Sequence, residues 1–264
     1  TFIWQRGGVS LLDIEGGVHS KVRFSTIETN QAARSVALDK NEVEQMISTA
    51  KENNTFLMEA IWSRFNPSIQ KVKQLLDEGT IGKLEYLYAD FAFYGLDRVE
   101  KKRLLDLDLA GGSILDVGIY PIFLAYLFLG MPKKIMASSR FYKTGAEIQT
   151  SMIFEYEDAQ AVLYSGFTSN SGMRAELSGR EGSLFLNPQW HVAQSYSLVK
   201  DDEQNHFELP TVGKGYTYEI EEVHSCLRSG EIQSNLWSFE NSLDLVSLLD
   251  AVRQEVGVTF PFEQ

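Results

Sequence analysis

The run of strand-like segments after Gly82 limits most strongly what this chain can fold into. Turn residues such as Asp158 and Gly179 separate five of these segments by only a few positions. Short loops place successive strands antiparallel, and an antiparallel sheet can leave one face open. The predicted strands cover residues 84–93, 134–142, 148–156, 160–167, 174–178 and 182–186. We therefore predict a mostly antiparallel open sheet, packed by helices at 113–129, 216–228 and 239–255.

The residues between Asp39 and Gly79 follow a different order. Asp39 is a predicted N-cap, and apolar residues follow it at helical spacing as far as Ala50. Residues 55–60 read as a short apolar strand, and residues 67–78 as a second helix that begins at Pro67. Helix, strand, helix is the order found in the last part of a parallel α/β sheet. The fold class predicted for the whole chain is therefore α/β (α+β).

Composition excludes some classes of function. The chain has 36 acidic and 24 basic residues, and a net charge of −12 disfavours nucleic acid or an anionic membrane as a partner. Its single cysteine, Cys226, cannot form an intramolecular disulfide, and a helical context predicts a packed thiol. The longest apolar run, 119–129, is too short to span a bilayer, so we expect a soluble cytoplasmic protein. The four histidines are scattered, and no metal site is predicted.

The densest candidate for chemistry is the segment 111–120, Gly-Gly-Ser-Ile-Leu-Asp-Val-Gly-Ile-Tyr. On an α-helix, Asp116 and Tyr120 would lie one above the other on the same face. The two glycines would let another backbone or a ligand approach the start of the helix. Tyr120 could exchange a proton with a substrate hydroxyl if a neighbouring cation lowered its pKa. The alternative is a packed tyrosine whose hydroxyl is bonded to Asp116.

A second candidate, residues 59–67, lies just beyond the carboxyl end of the predicted strand 55–60. Ligands in open α/β sheets bind at that edge. Arg64 could hold a phosphate or a carboxylate, and Trp62 could form the wall of an apolar pocket. The alternative is an interdomain ion pair beside a packed aromatic ring, and the sequence leaves both interpretations open.

Residues 59–65 and 111–120 together resemble the motifs of the Gfo/Idh/MocA oxidoreductases. Within that family they are most similar to the branch of dihydrodiol dehydrogenases and NADP-linked xylose dehydrogenases. Residues 178–183 and 218–223 extend the likeness, which runs from about Ala37 to the C-terminus. The family has an N-terminal Rossmann domain and a C-terminal domain with a large, mostly antiparallel sheet, whose open face commonly forms the dimer contact.

The resemblance implies an activity and roles for particular residues. The reaction would be dehydrogenation of a sugar or trans-dihydrodiol, with NADP or NAD as the cofactor and a homodimer formed through the open sheet face. Tyr120 would be the acid/base residue, with Gly112 and Asp116 beside it in the substrate pocket. Trp62 and Arg64 would line the cleft near the nicotinamide.

Two departures from the family pattern bear on activity. Arg34 stands where the family's Glu-Lys-Pro motif places its lysine, and an arginine can lower a tyrosine's pKa but cannot relay a proton. Because an arginine there could lower the pKa of Tyr120, we count Arg34 as a catalytic candidate. Only 33 residues precede it, without a phosphate-binding fingerprint, whereas a dinucleotide domain needs on the order of a hundred residues.

These departures lead to a predicted division of the chain. Residues 1–62 would be an atypical N-terminal segment followed by a truncated Rossmann-like remnant, and residues 63–264 would form the substrate and oligomerisation domain. Two functions remain open at this point. One is an active oxidoreductase, and the other is a catalytically inactive homologue that binds a ligand or forms an oligomer.

Overall fold

The structure, a computed structural model, describes residues 2–4, 39–97 and 103–263. Two short strands, β1 (Phe2–Trp4) and β2 (Leu57–Glu59), pair in parallel. In the sequence, the glycine pairs 7–8 and 16–17 indicate turns and residues 21–27 have strand-like character; these residues and the candidate Arg34 lie outside the described residues. The predictions made for them therefore stay predictions.

The helices that flank β2 begin where the sequence predicts them. The side chain of Asp39 accepts a hydrogen bond from the amide of Glu42 at 2.9 Å, and helix α1 (Lys40–Glu52) follows it. A single 3-10 turn, Trp62–Phe65, connects β2 to helix α2 (Pro67–Asp77), whose N-cap is Asn66. These contacts confirm the predicted order of helix, strand and helix.

The rest of the chain is organised around an eight-stranded sheet. Its strands are β3 (Leu84–Ala92), β4 (Lys134–Phe141), β5 (Glu147–Glu155), β6 (Gln160–Gly166), β7 (Ala175–Gly179), β8 (Gly182–Leu186), β9 (Ser195–Lys200) and β10 (Glu203–Glu208). The spatial order is β10-β9-β8-β7-β3-β6-β5-β4, and of the neighbouring pairs in this sheet only β3 and β6 are parallel. The predicted fold class and its mostly antiparallel sheet are therefore confirmed.

The hairpin of β9 and β10 was not predicted. Asp201 and Asp202 form its turn with φ angles of 54° and 61°. Every residue of β10 is exposed, so it lacks the alternation of apolar and polar residues that reveals a strand. Its backbone pairs with β9, and only the tertiary structure shows that pairing.

Three helices complete the core: α3 (Ile119–Leu129), α4 (Thr217–Ser229) and α5 (Phe239–Val256). Helix α3 packs on β3 and β6, whereas α5 packs on β4 and α2 packs on β8 and β9. The region Leu107–Leu129 is apolar enough to cross a membrane by length and composition, but 67% of its most apolar window is buried inside the fold. That burial is the pattern of a core helix. Cys226 is also buried, as predicted for a packed thiol.

The predicted helix 113–129 is not a continuous α-helix. Residues Ile114–Gly118 form a π-helical turn, and regular α geometry begins at Ile119. A π-turn has a wider hydrogen-bond spacing than an α-turn, and such turns often occur at functional sites. The turn therefore changes how Asp116 is placed relative to Tyr120, the pair that the sequence put on one helical face.

Candidate active site

Tyr120 lies at the first turn of α3 and receives a hydrogen bond from the other candidate segment. The indole Nε1–H of Trp62 donates to the Tyr120 hydroxyl oxygen at 3.0 Å. Because Trp62 belongs to the turn that follows β2, this bond joins the two segments that the sequence singled out. Since the indole can only donate, Tyr120 is the acceptor, and its own O–H can be directed to a further acceptor.

Aromatic rings surround the Tyr120 hydroxyl. Phe91, at the end of β3, lies 5.2 Å from the Tyr120 ring centre and stacks on the His191 ring at 4.2 Å. The His191 ring is 5.6 Å from Tyr120, and the Tyr216 ring packs on Trp62 at 4.6 Å. We call these five residues, Trp62, Phe91, Tyr120, His191 and Tyr216, the aromatic pocket.

Hydrogen bonds fix the two turns that form this pocket. The hydroxyl of Ser63 donates to the carbonyl of His191 at 2.8 Å, and the amide of Asn66 donates to the carbonyl of Ala193 at 3.0 Å. The indole of Trp190 donates to the carbonyl of Asp90 on β3 at 2.9 Å. The 3-10 turn that carries His191 is therefore tied both to the Trp62 turn and to the central strand of the sheet.

The electrostatics of Tyr120 differ from the expectation. Its pKa is raised to about 12, chiefly by burial, and the nearby Tyr216, Asp116 and Glu219 contribute in the same direction. The hydrogen bond from Trp62 opposes the shift but does not reverse it. Among the described residues, no cation acts on this hydroxyl to lower its pKa, and Arg34, proposed for that role, lies outside them. The described surroundings therefore favour the protonated phenol.

Asp116 is close enough to influence Tyr120, but its direct partner is a different residue. Its Oδ1 pairs with the guanidinium Nη1 of Arg103 at 2.7 Å, and the Asp116 side chain is largely buried. The alternative interpretation, a tyrosine bonded to Asp116, is not what the structure contains, because Asp116 acts on Tyr120 through its charge and not through a hydrogen bond. The sequence places Asp116 in the substrate pocket, and that role stays a prediction.

Gly112 packs against a buried carboxyl group. Its φ angle is +139°, and a Cβ atom built on it would lie 1.9 Å from Oε2 of Glu147. The other oxygen of Glu147 accepts the amide of Ile114 at 2.6 Å, at the start of the π-turn. Gly111 allows a backbone approach, since a Cβ there would lie 2.5 Å from the carbonyl of Arg103. The two glycines thus let a side chain and another backbone segment approach the start of the helix closely, as predicted. A place for Gly112 in the substrate pocket stays a prediction.

Glu147 anchors the helix that carries Tyr120. Burial raises the pKa of its carboxyl group to about 7, and Asp116 adds to that effect. The amide of Ile114 and the charge of Arg253 act in the opposite direction. Among the described residues, its Oε2 has no hydrogen-bond partner. Nothing in the sequence indicated this residue, because helix α3 and strand β4 separate Glu147 from Gly112 along the chain.

Arg64 lies buried, and its contacts are internal. Its Nε donates to the carbonyl of Leu236 at 2.9 Å, in the connection between α4 and α5. Burial lowers its pKa, while the charges of Glu222 and Asp77 raise it. This hydrogen bond to a backbone carbonyl is neither a contact to a phosphate or carboxylate nor the interdomain ion pair, so both interpretations of Arg64 stay predictions. The nicotinamide-facing role assigned to Arg64 by resemblance stays a prediction.

Glu219 is a further acidic group beside the pocket. It lies in the first turn of α4, is 8% exposed, and has an Oε2 atom without a partner among the described residues. Burial raises its pKa to about 7. The motif 218–223 that supports the family resemblance contains it, so the sequence did carry a signal for this position. No such signal marked His191, Phe91 or Tyr216.

Comparisons with known proteins agree with this fold. The model for the GFO/IDH/MocA C-terminal domain matches residues 69–185. Trans-1,2-dihydrobenzene-1,2-diol dehydrogenase of Mus musculus is 35% identical over 234 residues, and the match covers 83% of this chain and 68% of that protein. The enzyme of the same name from Homo sapiens is 34% identical over 232 residues with the same coverage.

Solved structures show the same likeness. The 3-ketoreductase KijD10 from Actinomadura kijaniata, in complex with NADP and TDP-benzene, superposes with a TM-score of 0.72 at 26% identity, covering 83% of this chain and 68% of that one. An aldose-aldose oxidoreductase from Caulobacter crescentus superposes with a TM-score of 0.74, covering 83% and 67%. At 20% identity, that second match shows the shared fold alone.

The chain belongs to the Gfo/Idh/MocA family of oxidoreductases. This confirms the family predicted from residues 59–65 and 111–120. Within the family, the chain is similar to the dihydrodiol dehydrogenases, the branch to which the same motifs pointed.

Proposed function

We propose that this protein is an NAD(P)-linked oxidoreductase that interconverts a hydroxyl and a carbonyl group on a small sugar or diol. The observation that carries the proposal is the hydrogen bond from Trp62 to Tyr120 inside the aromatic pocket. It holds the Tyr120 oxygen in place and leaves its proton to be given to a substrate oxygen. Aromatic walls exclude water from this point and provide apolar contact for a ring-shaped substrate.

The protonation state of Tyr120 assigns its part in the reaction. A nicotinamide dinucleotide, when bound, supplies or accepts the hydride. In the reducing direction, the carbonyl carbon gains the hydride while the Tyr120 phenol gives its proton to the carbonyl oxygen. The pKa of about 12 favours the phenol at neutral pH, so the described surroundings suit Tyr120 to proton donation. In the oxidising direction the phenolate takes the hydroxyl proton, and a cation such as Arg34 would stabilise it.

The described residues fit the nicotinamide end of the cofactor. Strand β2 is parallel to β1, and its carboxyl end leads directly into the turn of Trp62, which is where open α/β sheets bind ligands. Trp62 and Tyr120 would face the nicotinamide there. NADP is also bound in the related 3-ketoreductase. Within residues 39–97 and 103–263, however, no glycine-rich turn joins a parallel strand to a helix.

The lack of such a glycine-rich turn within the described residues is the observation behind an alternative function. A dinucleotide is held mainly through its pyrophosphate, by backbone amides at a glycine-rich helix start. The part of the chain that the structure describes does not supply such a turn, so the alternative is a catalytically inactive homologue whose pocket binds a ligand. Cofactor binding separates the two functions.

Titration with NADPH and NADH is expected to produce a saturable change in nicotinamide fluorescence and a rise in the melting temperature. A ligand at a hundred times its Kd stabilises the folded state by about 2.7 kcal/mol, which is easily measured. Trp62→Phe should weaken the response because it alters the wall that the nicotinamide would face. Tyr94→Phe, at an exposed tyrosine, is the matched control and should bind normally. No response to either dinucleotide at millimolar concentration contradicts the enzyme function.

The substrate proposal rests on the relatives. The curated relatives are named as dehydrogenases of a trans-dihydrodiol, so we propose a diol or sugar for this chain. The net charge of −12 disfavours a nucleic acid or an anionic membrane as a partner and does not favour a particular substrate. A cytoplasmic location is also part of the proposal; the single cysteine, Cys226, is buried and cannot form an intramolecular disulfide.

We also propose that the protein forms a homodimer through the open face of its sheet. A row of residues paired directly from strand to strand crosses this face from β4 to β8, and all of its members are only partly buried: Met136, Ile153, Val162, Tyr88, Glu176 and Phe185. The strand residues that alternate with this row, such as Leu87, Leu163 and Leu184, are fully buried in one core cluster with residues of α2, α3 and α5, so these helices lie on the opposite side of the sheet. A partly apolar face of this extent is typical of an interface.

Sedimentation velocity tests the dimer. The wild-type chain is expected to sediment as a dimer, and Val162→Lys should shift it toward the monomer, because a charge in the centre of the face would be buried without a partner. Val212→Lys is the matched control, since Val212 is 62% exposed and lies outside the sheet. A wild-type chain that sediments as a monomer at micromolar concentration would rule out this interface.

A further inference from the structure

His191 belongs to the aromatic pocket, and no pattern in the sequence predicted a role for it. It lies in the 3-10 turn Trp190–Val192, and the bond from Trp190 to the Asp90 carbonyl holds this turn against β3. The His191 ring stacks on Phe91 at 4.2 Å and lies 5.6 Å from the Tyr120 ring. Two polar side chains thus face the same space from different elements.

The contacts of the His191 ring determine which nitrogen carries its proton. Its Nδ1 atom is buried and has no hydrogen-bond partner among the described residues, although the side chain as a whole keeps partial exposure. A neutral imidazole has one donor and one acceptor nitrogen. A buried N–H without a partner is rarer in proteins than an acceptor whose capacity is not fully used. The proton therefore belongs on Nε2, and Nδ1 is the unused acceptor.

The surroundings also keep the ring neutral. Burial lowers the pKa of His191 to about 4. Its nearest ring neighbours are Phe91, Trp62, Tyr120 and Trp190, none of which carries a negative charge at neutral pH. Asp116 and Glu219 are the acidic groups that act on the pKa of Tyr120, and among the described residues neither acts on the pKa of His191. His191 is therefore suited to hydrogen bonding rather than to proton transfer.

We propose that His191 is a specificity-determining residue whose Nε2–H donates a hydrogen bond to a second substrate oxygen, beside the one that Tyr120 protonates. The preferred substrates are then vicinal diols and the matching hydroxy-carbonyl compounds. This inference rests on the proposed oxidoreductase function. Neighbouring hydroxyl oxygens can approach each other to about one hydrogen-bond length, ~2.8 Å. Two donors on rings whose centres are 5.6 Å apart can contact both oxygens at once.

A substrate with a single hydroxyl would leave the His191 donor without its partner. A neutral hydrogen bond contributes about 1 kcal/mol, which corresponds to roughly a fivefold to tenfold preference in binding. Stacking on Phe91 keeps the imidazole plane in place, so the donor is oriented before the substrate binds. The preference should therefore depend on the hydrogen bond and not on the aromatic ring.

The first measurement needs no ligand. Long-range nitrogen–proton NMR spectra of the histidine-labelled full chain are expected to show His191 as the Nε2–H tautomer. The ring should remain neutral down to pH 5.5, whereas an ordinary histidine is mostly protonated there. His191→Phe identifies the signal by its disappearance. An Nδ1–H tautomer, or an imidazolium signal at pH 6, overturns the proposal.

The second measurement compares two probes, trans-cyclohexane-1,2-diol and cyclohexanol, by NMR titration. The wild-type chain is expected to bind the diol about tenfold more tightly, and His191→Phe should reduce that preference to about twofold or less. His206→Phe, on the exposed strand β10, should keep the wild-type preference. A preference that survives His191→Phe, or equal or absent binding of both probes to the wild type, overturns the proposal. Neither probe titration uses a dinucleotide or measures turnover. A failure of the proposed oxidoreductase function would therefore appear in the titration with NADPH and NADH, and not in the comparison of the two probes.

Discussion

Replacement of Tyr120 by phenylalanine is expected to lower turnover by roughly 10²- to 10⁴-fold, the usual contribution of a positioned acid or base. Phenylalanine keeps the ring that packs against Phe91 and removes only the hydroxyl. It therefore removes the proton donor and the acceptor for the Trp62 indole while preserving the shape of the pocket. Because burial raises the pKa of Tyr120 to about 12, the wild-type residue stays a phenol at neutral pH, and the loss should be similar from pH 6 to 9.

Steady-state kinetics in the reducing direction, with a hydroxy-carbonyl substrate and NAD(P)H, measures this effect. Tyr86→Phe is the control, because Tyr86 is 37% exposed on the sheet and lies outside the pocket. Its turnover should match that of the wild type. The melting temperature of Tyr120→Phe should fall only slightly, which separates a lost proton donor from a damaged fold. Unchanged turnover in Tyr120→Phe would remove Tyr120 from the proposed role.

Gly112→Ala is expected to destabilise the protein by about 3 kcal/mol or more. The added methyl group would overlap the carboxyl group of Glu147, since the Cβ position lies 1.9 Å from its Oε2 atom. Overpacking at a buried site costs about 1–3 kcal/mol. A φ angle of +139° adds backbone strain of about 1–3 kcal/mol in an alanine. Glu147 is 1% exposed and anchored on Ile114, so it cannot easily move aside.

Denaturant unfolding of two variants separates the overlap from the strain. Gly79→Ala is the control, because its φ angle is +74° but nothing lies within 4 Å of the added atom. It should cost only about 1 kcal/mol, the ordinary effect of a left-handed position. Adding Glu147→Ser to Gly112→Ala should restore part of the stability by shortening the overlapping side chain. If Gly79→Ala and Gly112→Ala lower the free energy of unfolding equally, the overlap with Glu147 is not the reason that position 112 requires glycine.

The sequence predicted local structure well wherever one segment carries its own signal. Asp39 and Pro67 mark helix starts by their side-chain chemistry, and both helices begin there. Strands with one buried face show the alternation that predicts them. Strand β10 shows the limit of this reasoning, because its exposed residues have no pattern and its pairing with β9 alone makes it a strand.

For the site, the sequence identified the two segments that meet but not how they meet. Trp62 and Tyr120 come from those segments, and the hydrogen bond between them could not be read from spacing. The sequence left open a hydrogen bond between Asp116 and Tyr120. In the structure, Asp116 lies in the π-turn and pairs with Arg103 instead. Arg64 illustrates the same point, because its partner is the carbonyl of Leu236, 172 positions away.

The sequence by itself determined the family, the fold class and the residue types at the centre of the pocket, because these depend on motifs and on local periodicity. The tertiary structure alone decided that His191 joins Tyr120 and that Glu147 lies against Gly112. Both contacts depend on which strands become neighbours and on how loops return across the sheet, and no local pattern encodes that. The bond from Ser63 to the His191 carbonyl spans 128 positions for the same reason. Packing therefore selected the partners that the motifs of a single segment could not specify.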